Sequence, residues 1–163
     1  IALPYTGIIL STRENAKMRN ELINYGVSQI SAGSKTNPGS YAHDEDHTGS
    51  QFALGDHRDL EEVISSFVEE GYIPSFCTGC YRHGRVGNDF MDLAKPGLIK
   101  QYCLPNAMFT FKEYLEDFAS PELKERGTKL IKEMMSTVEH KNLVPKIEDN
   151  LNKIAEGQRD LYF

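Results

Sequence analysis

The chain has 163 residues, 39% apolar and 26% charged, which is enough apolar material for a packed core and excludes wholesale disorder. Eighteen Lys+Arg against 24 Asp+Glu give a formal charge of −6, so the basic stripe required by a nucleic-acid groove or an anionic membrane is missing. No apolar run approaches the roughly 18–20 residues that span a bilayer, and no secretory signal is visible. A cytoplasmic protein with no nucleic-acid or membrane partner is expected.

Tyr5 to Leu10 is a short apolar run with β-branched residues and predicts a buried strand. Ala16 to Tyr25 predicts a helix with Met18, Leu22 and Tyr25 on its inner face, stopped by Gly26, and Val27 to Ser31 predicts a second strand. A polar segment from Ala32 to His57 is long enough to suggest function or disorder. Asp59 to Glu70 predicts a helix capped by Asp59, buried along Leu60, Val63, Ile64 and Phe67, and ended by Gly71. Strand, helix, strand, helix with apolar strands favours a parallel sheet, whose chemistry gathers past the strand C-termini, here Ser11-Thr12-Arg13 and Ser31 to Ser34. Two strands do not make a stable sheet, so the rest of it is expected to lie outside the chain, which opens at Ile1 without Met.

After a brief extended piece, Tyr72 to Phe76, the pattern becomes helical only. Asn88 to Ala94 is a short helix closed by Pro96-Gly97. Asn106 to Phe118 follows, with Met108, Phe111, Leu115 and Phe118 as core positions. Ser120-Pro121 starts a helix toward Val138, and Leu143, Ile147, Leu151 and Ile154 mark a last one ending at Gly157. A boundary near residue 71 divides residues 1–70 from residues 71–163.

Cys77, Cys80 and Cys103 form a C-x2-C pair with a remote third cysteine. Thiolates suit iron–sulfur clusters, zinc and copper(I), and Thr78-Gly79 permits the tight turn that lets two sulfurs reach one centre. A cubane cluster normally takes four thiolates, so three leave one iron open. The direct competitor is a closed zinc site of Cys77, Cys80, His83 and Cys103, and the bland alternative is three buried cysteines serving as small hydrophobes. Arg13 carries a fork that fits a carboxylate, with Ser11 beside it, but from the residues alone a surface arginine paired with Glu14 or another acid is the better reading, and Ser11 has the same standing. The Ser31 to Ser34 turn can offer amides to an anion or be only a turn. Asp56-His57-Arg58 can order the long loop through ion pairs or merely precede the helix. His43 and His47, with Asp44, Glu45 and Asp46, are read as a flexible acidic loop.

The segments Leu10 to Glu14, Val27 to Ser34, Gln51-Phe52 with Asp56-His57-Arg58, Tyr72 to Arg82, Ala94 to Gly97, Cys103-x-Pro105-Asn106-Ala107 and Arg159 to Phe163 resemble the C-terminal part of the HydG family of FeFe-hydrogenase maturases. The first part also resembles the ThiH tyrosine lyases, which lack this cysteine pattern. The resemblance implies an α/β fold: the last βα units of a radical-SAM (β/α)8 barrel (residues 1–70), followed by a mostly helical cluster-binding domain (residues 71–163). It implies cleavage of L-tyrosine to p-cresol and dehydroglycine, and conversion of the latter to CO and cyanide on a fifth iron. That iron is linked through free L-cysteine to an auxiliary 4Fe–4S cluster on Cys77, Cys80 and Cys103. Arg13, with Ser11, would anchor the tyrosine carboxylate. S-adenosylmethionine and a second 4Fe–4S cluster are expected on segments upstream of Ile1, and other FeFe-hydrogenase maturation proteins as partners. The chain thus reads as an N-terminally truncated lyase, inactive alone, with exposed apolar strand edges and a poorly stable first third.

Overall fold

In the computed structural model, residues 7–42, 52–76 and 87–163 are described. They form an α/β chain that is mostly helical and divides into two compact units, Ile1–Ser66 and Phe67–Phe163.

In the first unit, β1 (Ile9–Leu10) and β2 (Gln29–Ile30) pair in parallel, Ile9 opposite Gln29 and Leu10 opposite Ile30. The crossover between them is α1 (Ala16–Ile23), capped by Asn15, whose side chain accepts from the Met18 amide at 2.9 Å. The strands are shorter than the pattern predicts and they are not buried: Ile8 is 50% exposed and Ile9 68%. Among the described residues the sheet has two strands, and within β1 Ile9 is exposed while Leu10 is half-buried. The inner face of α1 also differs from expectation. Met18 and Tyr25 are exposed, and the fully buried residue of the helix is Arg19. The described parts of the long polar segment, residues 32–42 and 52–57, contain turns but neither strand nor helix.

Helix α2 (Leu60–Glu69) starts with a reciprocal cap: the Glu62 amide donates to Asp59 Oδ1 at 2.8 Å, and the Asp59 amide donates to Glu62 Oε2 at 2.9 Å. It ends on Gly71, at φ 84°, with the Tyr72 amide donating to the Phe67 carbonyl and the Gly71 amide to the Val68 carbonyl. Its buried residues are Val63, Ile64, Phe67 and Val68. Leu60, expected in that stripe, is exposed in the first turn.

The second unit continues with α3 (Gly87–Ala94), α4 (Lys100–Asp117), α5 (Pro121–Thr137) and α6 (Val144–Ala155). Ser120 caps α5 by accepting from the Leu123 amide at 3.3 Å, with Pro121 at the first helical position. Helix α4 packs against both α5 and α6. Met108, Phe109, Phe111 and Leu115 of α4 are fully buried, with Leu123 and Leu130 of α5 and Ile147 and Ile154 of α6. Gly127 makes the α4–α5 approach possible, since a Cβ there would lie 2.7–2.8 Å from both Leu115 Cδ atoms and Phe111 Cζ. Two expectations need correction here. Phe118 is 75% exposed, because the helix ends at Asp117 and Phe118 is its C-cap rather than a core position. Helix α4 also begins at Lys100, not Asn106, so that Pro105 lies inside it and Cys103 in its first turn. No described helix is long and apolar enough to cross a membrane.

Candidate functional site

Each unit holds candidates of its own. In the first unit, Ser11 and Arg13 follow β1 immediately, the position where parallel sheets present ligand-binding groups. Both are exposed, and the Arg13 amide donates to Ser11 Oγ at 3.4 Å. The Arg13 guanidinium lies 4.3 Å above the centre of the Phe52 ring. That stacking fixes the plane of the fork while leaving its edge open to a carboxylate. Phe52 was not anticipated as a partner, because the contact joins residues 39 positions apart, with α1 and β2 between them.

Beneath this pair lies a buried ion network. Asp56 is 3% exposed and accepts from Arg19 Nη1, from the Arg58 amide at 3.0 Å and from Arg58 Nη2 at 2.8 Å. Arg19, with no exposed surface, also donates through Nη2 to the Ser31 carbonyl, and its Nε has no partner among the described residues. Arg58 reaches Ser66 Oγ at 2.9 Å and Asn20 Oδ1 at 3.2 Å. Burial alone would push the Asp56 carboxyl up. The hydrogen bonds from Arg58 and Arg19, with the Arg19 charge, outweigh it and bring the pKa from 3.8 down to about 2.

The backbone around Asp56 ties both strand ends together. The Gly55 and Asp56 amides donate to the Thr12 carbonyl at 2.9 and 3.1 Å, and the Gly33 amide donates to the Arg58 carbonyl at 3.1 Å. Gly55 must be glycine, since a Cβ there would stand 2.4 Å from the Arg13 carbonyl oxygen. The Ser31 amide is engaged with the Leu10 carbonyl and the Gly33 amide with the Arg58 carbonyl, which leaves at most the other two amides of the turn for an anion. Of the two readings of Asp56-His57-Arg58, the ion-pair reading holds for Asp56 and Arg58. Arg19 was missed. Its signal was available: Asn15, Arg19 and Leu22 lie at helical spacing, and an arginine on an inner face needs a buried acid, which the long loop supplies.

In the second unit, Cys103 lies on the first turn of α4, is exposed, and its Sγ donates to the Ile99 carbonyl at 3.4 Å. Cys77, Cys80 and His83 lie outside the described residues, as do His43, Asp44, Glu45, Asp46 and His47. Among the described residues no group of three or more His, Cys, Asp or Glu is arranged to hold a metal. An exposed thiol on a helix turn, outside any disulfide, fits thiolate ligation. A donor set of three thiols fits the iron–sulfur chemistry implied by the resemblance. Phe76, the residue before Cys77, stacks on Tyr114 of α4 with ring centres 5.2 Å apart.

The Biotin and Thiamin Synthesis associated domain model matches residues 1–73, which hold the parallel βα pair. Along the whole chain the similarity is to HydG. A solved structure of HydG, a maturase of the FeFe-hydrogenase, superposes with a TM-score of 0.88 at 45% identity over 99% of this chain. The 2-iminoacetate synthase of Salmonella typhimurium strain LT2 is 38% identical over 71 residues, 44% of this chain. The chain is a relative of HydG along essentially its whole length. It spans about a third of that solved chain (35%) and about a fifth (19%) of the Salmonella protein.

Proposed function

We propose that this chain is the auxiliary-cluster portion of a radical-SAM lyase that cleaves L-tyrosine to p-cresol and dehydroglycine. The lyase then converts dehydroglycine to CO and cyanide for FeFe-hydrogenase assembly. The observation that carries the reading is the reach of the HydG match. At 99% of the chain it takes in the cysteine segment, whereas the domain model stops at residue 73, before Cys77. In this reading the two βα units are the end of a (β/α)8 barrel, consistent with the exposed side chains of Ile9 in β1 and of Ile8 just before it. S-adenosylmethionine and the cluster that cleaves it belong to segments outside these 163 residues, whose three cysteines cannot supply a C-x3-C-x2-C loop.

The roles of the residues follow from their chemistry. Arg13, its plane held by Phe52, binds the tyrosine carboxylate through paired N–H donors, and Ser11 adds a hydroxyl beside it. The Asp56 network keeps the loop after β1 fixed, so binding does not have to order it. Cys77, Cys80 and Cys103 are the thiolate donors, and a cubane on three thiolates supplies, when bound, an iron open to an added ligand such as the thiolate of L-cysteine.

Anaerobic reconstitution with iron and sulfide tests the cluster reading. The expected result is about four irons and four sulfides per chain, with an EPR spectrum that changes on adding L-cysteine. One zinc and no sulfide, lost on His83→Ala, would replace it with a zinc-stapled module. For the carboxylate anchor, Arg13→Ala in the full-length lyase is expected to raise KM for L-tyrosine on the order of 10- to 100-fold, the weight of a charged hydrogen bond.

A further inference from the structure

Helix α4 carries a break close to Cys103. Pro105 is its sixth residue. It has no N–H to give to the Gln101 carbonyl, and its ring crowds that carbonyl. The entry to the helix is also loose. Ile99, at the N-cap position, makes no side-chain cap bond, and the Lys100, Gln101 and Tyr102 amides reach back only three residues, to Gly97, Leu98 and Ile99. The turn that bears Cys103 is therefore the weakest part of α4 in its own hydrogen bonding.

The C-terminal segment lies along this helix and covers the break. Arg159 clasps Asp117 through Nε at 2.7 Å and Nη2 at 2.5 Å, and the Asp160 amide donates to Glu113 Oε1 at 2.7 Å. The Phe163 amide donates at 2.9 Å to Oδ1 of Asn106, the residue directly after Pro105. The Phe163 ring stacks on Tyr102 at 5.6 Å and on Phe109 at 5.8 Å. Tyr102 and Phe109 are seven residues apart, two turns of the same helix face, or about 10.5 Å of rise. One ring thus bridges the residue next to Cys103 and a fully buried core residue, with Pro105 between them.

We propose that Phe163 is a positioning residue for Cys103: an aromatic splint that holds the first turn of α4 to its rigid remainder across the Pro105 break. The proposal rests on the cluster reading for its purpose but not for its mechanics, because the splint is a property of the apoprotein. A thiolate on a frayed turn would occupy many positions, and a cluster closed by it would be lost more readily.

The test uses the full chain with Phe163→Ala, Pro105→Ala and the double variant, read by amide hydrogen exchange and by iron per chain after reconstitution. Phe163→Ala is expected to speed exchange of the Tyr102, Cys103 and Leu104 amides on the order of tenfold, leaving residues 110–117 within about twofold. Iron is expected to fall by about half or more from about four per chain. Pro105→Ala restores the missing donor, so it is expected to slow exchange in that turn by itself, and the double variant is expected to regain both protection and iron. Unchanged exchange in Phe163→Ala would overturn the splint. So would faster exchange spread evenly along α4, or a double variant no better than Phe163→Ala. Exchange behaving as expected in a wild-type chain that takes up no iron would keep the splint and remove the cluster reading. Full iron with unchanged exchange would do the reverse.

Discussion

The two units differ in the contacts that fix their candidate residues, although Val63 and Ile64 of α2 are buried apolar residues of the first. Among the described residues of the first, the fully enclosed groups at the strand ends are Thr12, Arg19 and Asp56, and the order of the loops comes from charge pairing. In the second, the enclosed groups are the apolar side chains of α4, α5 and α6, and its exposed ion pairs, such as Lys153 with Asp149, lie on the surface. A buried ion pair contributes little net stability but fixes geometry, because each member is costly to leave alone. An apolar helix interface contributes stability in proportion to the area it buries and tolerates changes at its rim. The unit that presents Arg13 thus has its geometry set by a few polar contacts, whereas the unit that presents Cys103 is stabilised by packing and needs a local device only at the one turn weakened by proline.

The contrast breaks most sharply at Asp56. Asp56→Ala leaves the Arg19 guanidinium buried without its counter-charge, and a loss of about 3–5 kcal/mol is expected in the first unit. Amide exchange should rise across residues 12–33 and 52–58 while α4 to α6 keep their protection. The mirror experiment is Leu115→Ala in the second unit. Removing a fully buried leucine at the α4–α5 contact is expected to cost about 2–5 kcal/mol, read as lost protection in α4 to α6 with the Asp56 network intact. If either variant loosened both units equally, the division of labour would be wrong.

Acid sharpens the same comparison. The folded pKa of Asp56 lies below the ordinary carboxylate value, so its contribution is fully present above about pH 4 and is lost as pH falls from about 4 toward about 2. The shift from 3.8 to about 2 corresponds to about 2 kcal/mol. The first unit should therefore lose protection over that range in wild type, and Asp56→Asn should flatten the dependence. Asp117 is also held low, by the hydrogen bond from Arg159, but both groups are at the surface, where salt screens them. High salt should therefore weaken the Arg159–Asp117 clasp and spare the Asp56 network.

Most of the second unit was legible in its sequence because helical periodicity and end signals act locally. Ser120-Pro121, Gly157 and the stripe Met108, Phe111 and Leu115 each required only neighbours a few residues away. The misreadings arose where a distant contact decided the outcome. Pro105 reads as a helix breaker in isolation, yet α4 runs through it with the Phe163 ring, 58 residues later, spanning the gap. Phe118 fits the apolar stripe, but the helix ends one residue too early to bury it. In the first unit, Met18 and Tyr25 fit an amphipathic face, but an arginine took the inner position because its partner lies 37 residues away. The strand pairing was readable from pattern, whereas the exposure of Ile8 and Ile9 depends on what else joins the sheet. For the candidate sites, the place of Arg13 and Ser11 just past a strand was legible, but only the family resemblance singled them out as substrate-binding candidates. Phe52, which orients Arg13, was not legible as its partner, because nothing local couples positions 13 and 52.

The finest test of the packing side of the comparison is Gly127→Ala. Glycine in a helix interior costs about 1 kcal/mol relative to alanine, so propensity alone favours the substitution. Against that, the new methyl would sit 2.7–2.8 Å from the Leu115 Cδ atoms and Phe111 Cζ. Leucine ends can move where there is space, but Leu115 and Phe111 are both fully buried and have none to move into. Overpacking of this kind costs about 1–3 kcal/mol, so the expected net result is a loss of about 1 kcal/mol, seen as a lower denaturation midpoint for α4 to α6. A gain in stability would show that the α4–α5 contact can relax, and that the second unit owes less to close packing than its buried side chains imply.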